Sequence, residues 1–158
     1  MSGYISDTSP LLFPGGKNES SIEGPGLIRS ITGTNPAAGV EISETVPTGA
    51  RWRIICFKAT FVADATATTR GPRLSFDDGS LAYFTAGTFT SITASTTFIH
   101  SWAAVGQEDN SAASATVQCI PSDLILAAGH RITSSTVSIQ AGDNWDAPQL
   151  LVEEWIQP

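Results

Sequence analysis

The sequence is short of charge, of histidine and of cysteine. Only 15% of its 158 residues are charged, well below the usual quarter, and 8 Lys and Arg stand against 15 Asp and Glu for a formal net charge of -7. With no basic cluster larger than Arg51 and Arg53, the counterion release that drives most nucleic-acid binding is missing, and no direct nucleic-acid partner is expected. No apolar run approaches the roughly 18 residues needed to cross a bilayer. The first twenty residues lack a basic start and hold only Leu11, Leu12 and Phe13 as an apolar stretch, so neither a signal peptide nor a membrane partner is expected.

Chemistry-bearing motifs are equally scarce. Cys56 (in IICF) and Cys119 (in VQCI) sit in apolar, strand-like text and read as free thiols acting as small hydrophobes, in keeping with synthesis in the cytoplasm. There is no CxxC, and His100 and His130 lie far from both cysteines in sequence, which speaks against a metal site. No GxSxG elbow is present, and Gly24-Pro25-Gly26 lacks the lysine and the helix of a phosphate cradle. The reading is therefore of no enzyme, no cofactor, no metal and no catalytic residue. His100, beside Ile99 and near Trp102, reads as a packed or partner-facing residue, and His130, after Gly129 at a strand start, as a pH-sensitive polar contact.

What the sequence has in quantity is β-forming, neutral text: 41% hydrophobic residues with 18 Ser and 18 Thr. Residues 1–45 hold 7 Gly and 4 Pro and read as an extended N-terminal arm, while 46–158 read as a β-sandwich domain. The fold class expected is all-β, a jelly-roll-like antiparallel sandwich of about eight strands. Strands are expected at Arg51–Ala63, Arg73–Phe76, Leu81–Thr85, Phe89–Ala94, Thr97–Ala104, Ala115–Ile120, His130–Gln140 and Gln149–Ile156, with Leu124–Leu126 as a short edge piece. In the first, Trp52, Ile54, Cys56 and Lys58 alternate against Arg53, Ile55, Phe57, Ala59 and Phe61, so both faces carry apolar groups. Asp77-Asp78-Gly79-Ser80 reads as a hairpin turn. The polar stretch 106–114 reads as a loop at one end of the sandwich. Val46-Pro47-Thr48-Gly49-Ala50-Arg51-Trp52 and Leu126-Ala127-Ala128-Gly129-His130-Arg131-Ile132 echo each other, and both look like a turn that launches a long strand.

The arm carries apolar anchors, among them Tyr4, Leu11, Leu12, Phe13, Ile22, Leu27, Ile28 and Ile31. They want a surface to lie on, either a partner's or, with strands at 27–32 and 38–43, that of the arm's own domain. A second candidate is the surface loop Asp143, Asn144, Trp145 and Asp146, which offers oxygen ligands for calcium, although Asx turns explain the same residues without metal. Trp52, Trp102, Trp145 and Trp155, with Tyr83, are candidates for a sugar-stacking platform or for the core. Adjacent in a strand, Glu153 and Glu154 point to opposite faces and cannot form a catalytic dyad, and one of them is expected to pair with Arg51, Arg53 or Arg131.

The series VPTGARWRIICFKATFVA, LAAGHRITSSTVSIQAGDNWD and APQLLVEEW resembles small structural proteins of tailed double-stranded DNA bacteriophages, and in layout is similar to capsid decoration (cement) proteins. That resemblance implies a virion protein on the outer surface of the capsid, with the major capsid protein as partner and a homotrimeric state. The alternative is a carbohydrate- or receptor-binding module on the phage head or tail. An arm of 45 residues, extended at about 3.3 Å each, reaches about 150 Å, enough to cross to neighbouring subunits.

Overall fold

A computed structural model describes residues 26–87, 91–105, 109 and 114–156. Among the described residues there is no helix, and the chain forms two packed sheets, an all-β sandwich. The strands are β1 (Leu27–Thr32), β2 (Ser43–Thr45), β3 (Ala50–Val62), β4 (Gly71–Asp77), β5 (Ala82–Gly87), β6 (Thr97–Ala103), β7 (Ala115–Cys119), β8 (Ile125–Leu126), β9 (Arg131–Val137), β10 (Asn144–Trp145) and β11 (Gln149–Ile156). Sheet A runs β1-β11-β3-β6-β7, with the short β8 and β10 also on β3; sheet B runs β2-β9-β4-β5.

The core lies between the sheets and is filled by alternate residues of each strand. Sheet A contributes Trp52, Ile54, Phe57, Ala59 and Phe61 from β3, Leu150 and Val152 from β11, and Trp102 from β6; sheet B contributes Leu74, Phe76, Ile132 and Ala86. Edge-on ring contacts, Phe61 to Trp145 at 4.8 Å and Phe57 to Trp102 at 5.8 Å, lock the centre. Three of the four tryptophans are thus core residues, which removes them from any exposed sugar platform.

Several expectations are corrected. Eleven strands are present among the described residues rather than about eight, and β6 pairs with β7 in parallel, whereas the jelly-roll expectation is of antiparallel strands. Of the expected strand at Phe89–Ala94, Ile92 makes only an isolated bridge to Arg70, and 88–90 lie outside the described residues. The expected loop at 106–114 also falls largely outside them; its Asp109 bridges Val117 on β7. The strand expected at 38–43 forms instead at Ser43–Thr45. Residues 27–32 are a strand of the domain's own sheet, the second of the two outcomes open for that stretch, so the domain as folded includes residues 26–45.

The faces of β3 also differ from simple alternation. Opposite β11 the register steps from Leu151↔Cys56 to Val152↔Ile54, leaving Ile55 as an extra residue. This β-bulge reverses the alternation, so Trp52 and Ile54 before it and Phe57, Ala59 and Phe61 after it all point inward. Cys56 and Lys58 consequently lie on the outer face with Arg53. Two apolar faces in the sequence reflect one core-facing row with a phase change.

The echoed segments are true counterparts. Each is a turn closed by an i to i+3 bond, Ala50 N–H to Pro47 O at 3.1 Å and His130 N–H to Ala127 O at 3.0 Å, with Gly49 at φ 78° and Gly129 at φ 83°. Positive φ at both positions is why glycine stands there. The two turns lie side by side, Gly129 N–H donating to Val46 O and Val46 N–H to His130 O.

Candidate functional site

The expected surface loop is the first place to look for a site, and the structure turns half of it inward. Asp143 and Trp145 are fully buried, while Asn144 is half-buried and Asp146 exposed. Asp143 meets Arg70, itself fully buried: Nε donates to Oδ2 at 3.1 Å, and Nη2 lies 3.0 Å from Oδ1. Backbone N–H groups of Asp64 (2.8 Å) and Gln140 (2.7 Å) complete the carboxylate's shell. Arg70 also pairs with Asp64 and donates to the carbonyls of Thr66 (2.8 Å) and Thr68 (2.9 Å). Burial pushes the Asp143 carboxyl up, but Arg70 and the two N–H donors outweigh it and hold it below its ordinary value. With its oxygens so engaged, Asp143 has nothing to offer calcium, and no group of three or more His, Cys, Asp or Glu among the described residues could hold a metal. The Trp145 indole donates to Glu41 Oε2 at 3.1 Å, and Glu41 also receives Thr136 N–H at 2.5 Å and the Ser134 hydroxyl. Both networks tie loops to sheets.

Glu153 and Glu154 divide as alternation requires. Glu153, on the outer face, pairs with Arg53 across the strands and accepts Gly26 N–H at 2.7 Å. Glu154, on the inner face, accepts the Trp52 indole N–H at 2.7 Å and Arg29 at 2.5 Å. Its carboxyl, raised by burial, is pulled below its ordinary value by those two donors. Arg53 is thus the expected partner found, Arg131 belongs instead to Asp77 (2.7 Å), and the Arg29 pair was not foreseen.

At the turn end of the sandwich functional groups gather around the β4–β5 hairpin. Gly79, at φ 93°, forms the β4–β5 hairpin tip, Asp77 accepts its N–H at 2.8 Å, and Asp78 accepts Ser80 and Leu81 N–H. Leu81 and Tyr83 stand exposed on the hairpin, and the Tyr83 hydroxyl lies 3.2 Å from His130 Nδ1, with the rings 5.8 Å apart. Burial, with the Asp77 and Asp78 charges, pushes the Tyr83 hydroxyl up to about 12, so it stays protonated. Burial likewise raises the Asp77 carboxyl, but Arg131, Gly79 N–H and Thr133 hold it low. His130 as a polar contact was legible from its sequence position; its pairing with Tyr83 depends on a hairpin brought from some fifty residues away and was not.

His100 is the opposite case. It is fully buried among Phe98, Trp102 and Trp145, and neither ring nitrogen has a hydrogen-bond partner among the described residues. Burial drops its pKa to about 4, so it is a neutral core residue. Neither cysteine forms a disulfide, and both are half-buried on the outer face of sheet A, where Cys56 and Cys119 flank Ala103 from either side. Burial raises the Cys56 thiol, with Lys58 opposing it in part.

Of the arm anchors, Tyr4, Leu11, Leu12, Phe13 and Ile22 lie outside the described residues. Leu27 and Ile28 are exposed on β1, and Ile31 packs against the core. Compared with family models, with curated proteins and with solved structures, the chain finds no match in any of the three.

Proposed function

We propose that the chain is a virion structural protein, without enzymatic activity, that binds the outer surface of a bacteriophage capsid and stabilises it by clamping neighbouring copies of the major capsid protein. The observation that carries this reading is where the N-terminal chain joins the sandwich. β1 is the edge strand of sheet A, and Gly26 is held at that edge by Glu153. The 25 residues before it, with Leu11, Leu12, Phe13 and Ile22, therefore join the described chain at the rim of sheet A. Extended, they would reach about 80 Å. Ordering such a segment on a partner costs on the order of 1–2 kcal/mol per residue, which apolar anchors and main-chain pairing must offset.

The test is cosedimentation with undecorated phage heads, full-length chain beside a version lacking residues 1–25. The truncation stops at Pro25 because β1 belongs to the sheet. Saturable binding by the full-length chain alone is expected; equal binding by both would remove the arm from the reading. No binding by either would favour the receptor- or glycan-binding module. The exposed Tyr83–His130 pair is the observation that supports that second reading.

A further inference from the structure

Among the described residues β1 has a strand neighbour on one side only, β11, and its six residues are exposed except for half-buried Ile31. The register with β11 continues to Gly33, whose N–H donates to Pro148 O at 2.8 Å. In an antiparallel ladder, residues that exchange bonds with the neighbour alternate with residues whose backbone groups turn away. Gly33 therefore sets the phase. Leu27, Arg29 and Ile31 direct their N–H and C=O toward β11, and Ile28, Ser30 and Thr32 present theirs outward.

The other edges are guarded in the ways that keep sheets from joining. On its open side β7 takes the bridge from Asp109, β2 is three residues long, and β5 carries a register shift opposite Phe76 and Asp77 and ends at Gly87. β1 has no proline, lysine, glycine or bulge, and its one charged side chain, Arg29, is held on the inner face by Glu154.

We propose that β1 pairs antiparallel with β1 of a second copy of this chain, about a two-fold axis at Ser30, joining the two A sheets into one. A continuous sheet keeps outer-face residues opposite outer-face residues, so the register moves only in steps that preserve that match. With Ser30 opposite the partner's Ser30, Ile28 lies opposite the partner's Thr32, and every outward N–H and C=O of both strands is bonded. Arg29 then lies opposite the partner's Ile31. The neighbouring register on one side sets Arg29 against the partner's Arg29 and Thr32 against Gly26, whose N–H is already given to Glu153. That on the other side sets Ile28 against Thr34, whose N–H is already given to Glu44 Oε1 at 2.5 Å. Among the described residues nothing accepts these outward donors, and in this register a second copy satisfies all of them. This pairing does not rest on the capsid reading.

Sedimentation velocity of the full chain over a dilution series tests this. A two-copy mass that falls to one copy on dilution is expected. Ser30→Pro removes an N–H that no described residue accepts, and proline is tolerated on such an edge; a one-copy mass with an unchanged circular dichroism spectrum is expected. Ser30→Lys and Ser30→Glu, each placing like charges opposite one another, are expected to weaken pairing at least about tenfold alone and to restore it when mixed. A one-copy mass for the unaltered chain at every concentration, a three-copy mass, pairing undiminished in Ser30→Pro, or no recovery in the mixture would each overturn the proposal.

Discussion

Arg70 and Asp143 face one another inside the sandwich, both fully buried, in an ion pair made at two points 3.1 and 3.0 Å long. The pair holds the 64–70 loop against the turn before β10. Deleting Arg70 would strand the Asp143 charge away from water, a loss of about 3–5 kcal/mol, whereas deleting Asp143 leaves Arg70 its pair with Asp64 and costs less. Arg70→Met is expected to lower the unfolding free energy read from urea titration by that order, and Asp143→Ala by less. The double variant Arg70→Met/Asp143→Leu, which leaves no unpaired buried charge, is expected to cost less than the two singles added. Strict additivity in urea titrations would show that the two charges are not coupled.

His100 makes stability pH-dependent in a window of its own. Its ordinary pKa of 6.5 falls to about 4 in the folded protein, so between those values the unfolded chain binds more protons than the folded one. Stability is then complete above about pH 6.5 and is lost as pH falls toward 4, by on the order of 3 kcal/mol. The lowered carboxylates Asp77, Asp143 and Glu154 act in the same direction but lose their contribution below their ordinary values, at lower pH. His100→Leu is expected to flatten the dependence between pH 6.5 and 4 and leave the steeper acid limb below it. Urea midpoints measured across that range check it, and an unchanged slope in the variant would contradict the assignment.

Much of the sandwich is legible in the sequence because alternation and turn chemistry are local. The span of β11, the Gly79 hairpin and the paired turns at Gly49 and Gly129 all follow from residues within a few positions of one another. What escapes is set by partners distant in the chain. Asp143-Asn144-Trp145-Asp146 is polar enough to read as an exposed loop, yet Arg70 and Glu41 supply partners that let Asp143 and the Trp145 indole be buried. The bulge at Ile55 is visible only against β11, since RIICF has no glycine to mark it.

That bulge yields a prediction about deletions. Removing Ile55 would leave Ile54 opposite Val152 and Cys56 opposite Leu151, the pairs already present, and keep Phe57, Ala59 and Phe61 inward. Removing Ala59 instead would shift Phe61 onto the other face and expose a ring that is now fully buried. The Ile55 deletion is expected to fold with a lowered thermal midpoint, and the Ala59 deletion to lose the cooperative transition. Thermal melts followed by near-ultraviolet circular dichroism, which reports the packing of Trp102 and Trp145, distinguish the two. Equal tolerance of both deletions would mean that the register step carries no weight in the fold.

The thiols provide a check on the sheet order itself. Cys56 on β3 and Cys119 on β7 are both opposite Ala103 on the strand between them, so their Cα atoms are two strand spacings apart, about 9.5 Å. A disulfide needs Cα atoms within about 7 Å, so none can close within one copy without moving β6. After incubation with oxidised glutathione, two thiols per chain are expected to remain free of any intramolecular bond, as read by the mass of a peptide map without reduction. Their reaction with a maleimide should also be slowed at Cys56, whose thiol burial raises, and should quicken there as pH rises. A Cys56–Cys119 linked peptide from folded protein that keeps a one-copy mass under denaturing, non-reducing conditions would require β3 and β7 to be neighbours, and so would refute the order β3-β6-β7.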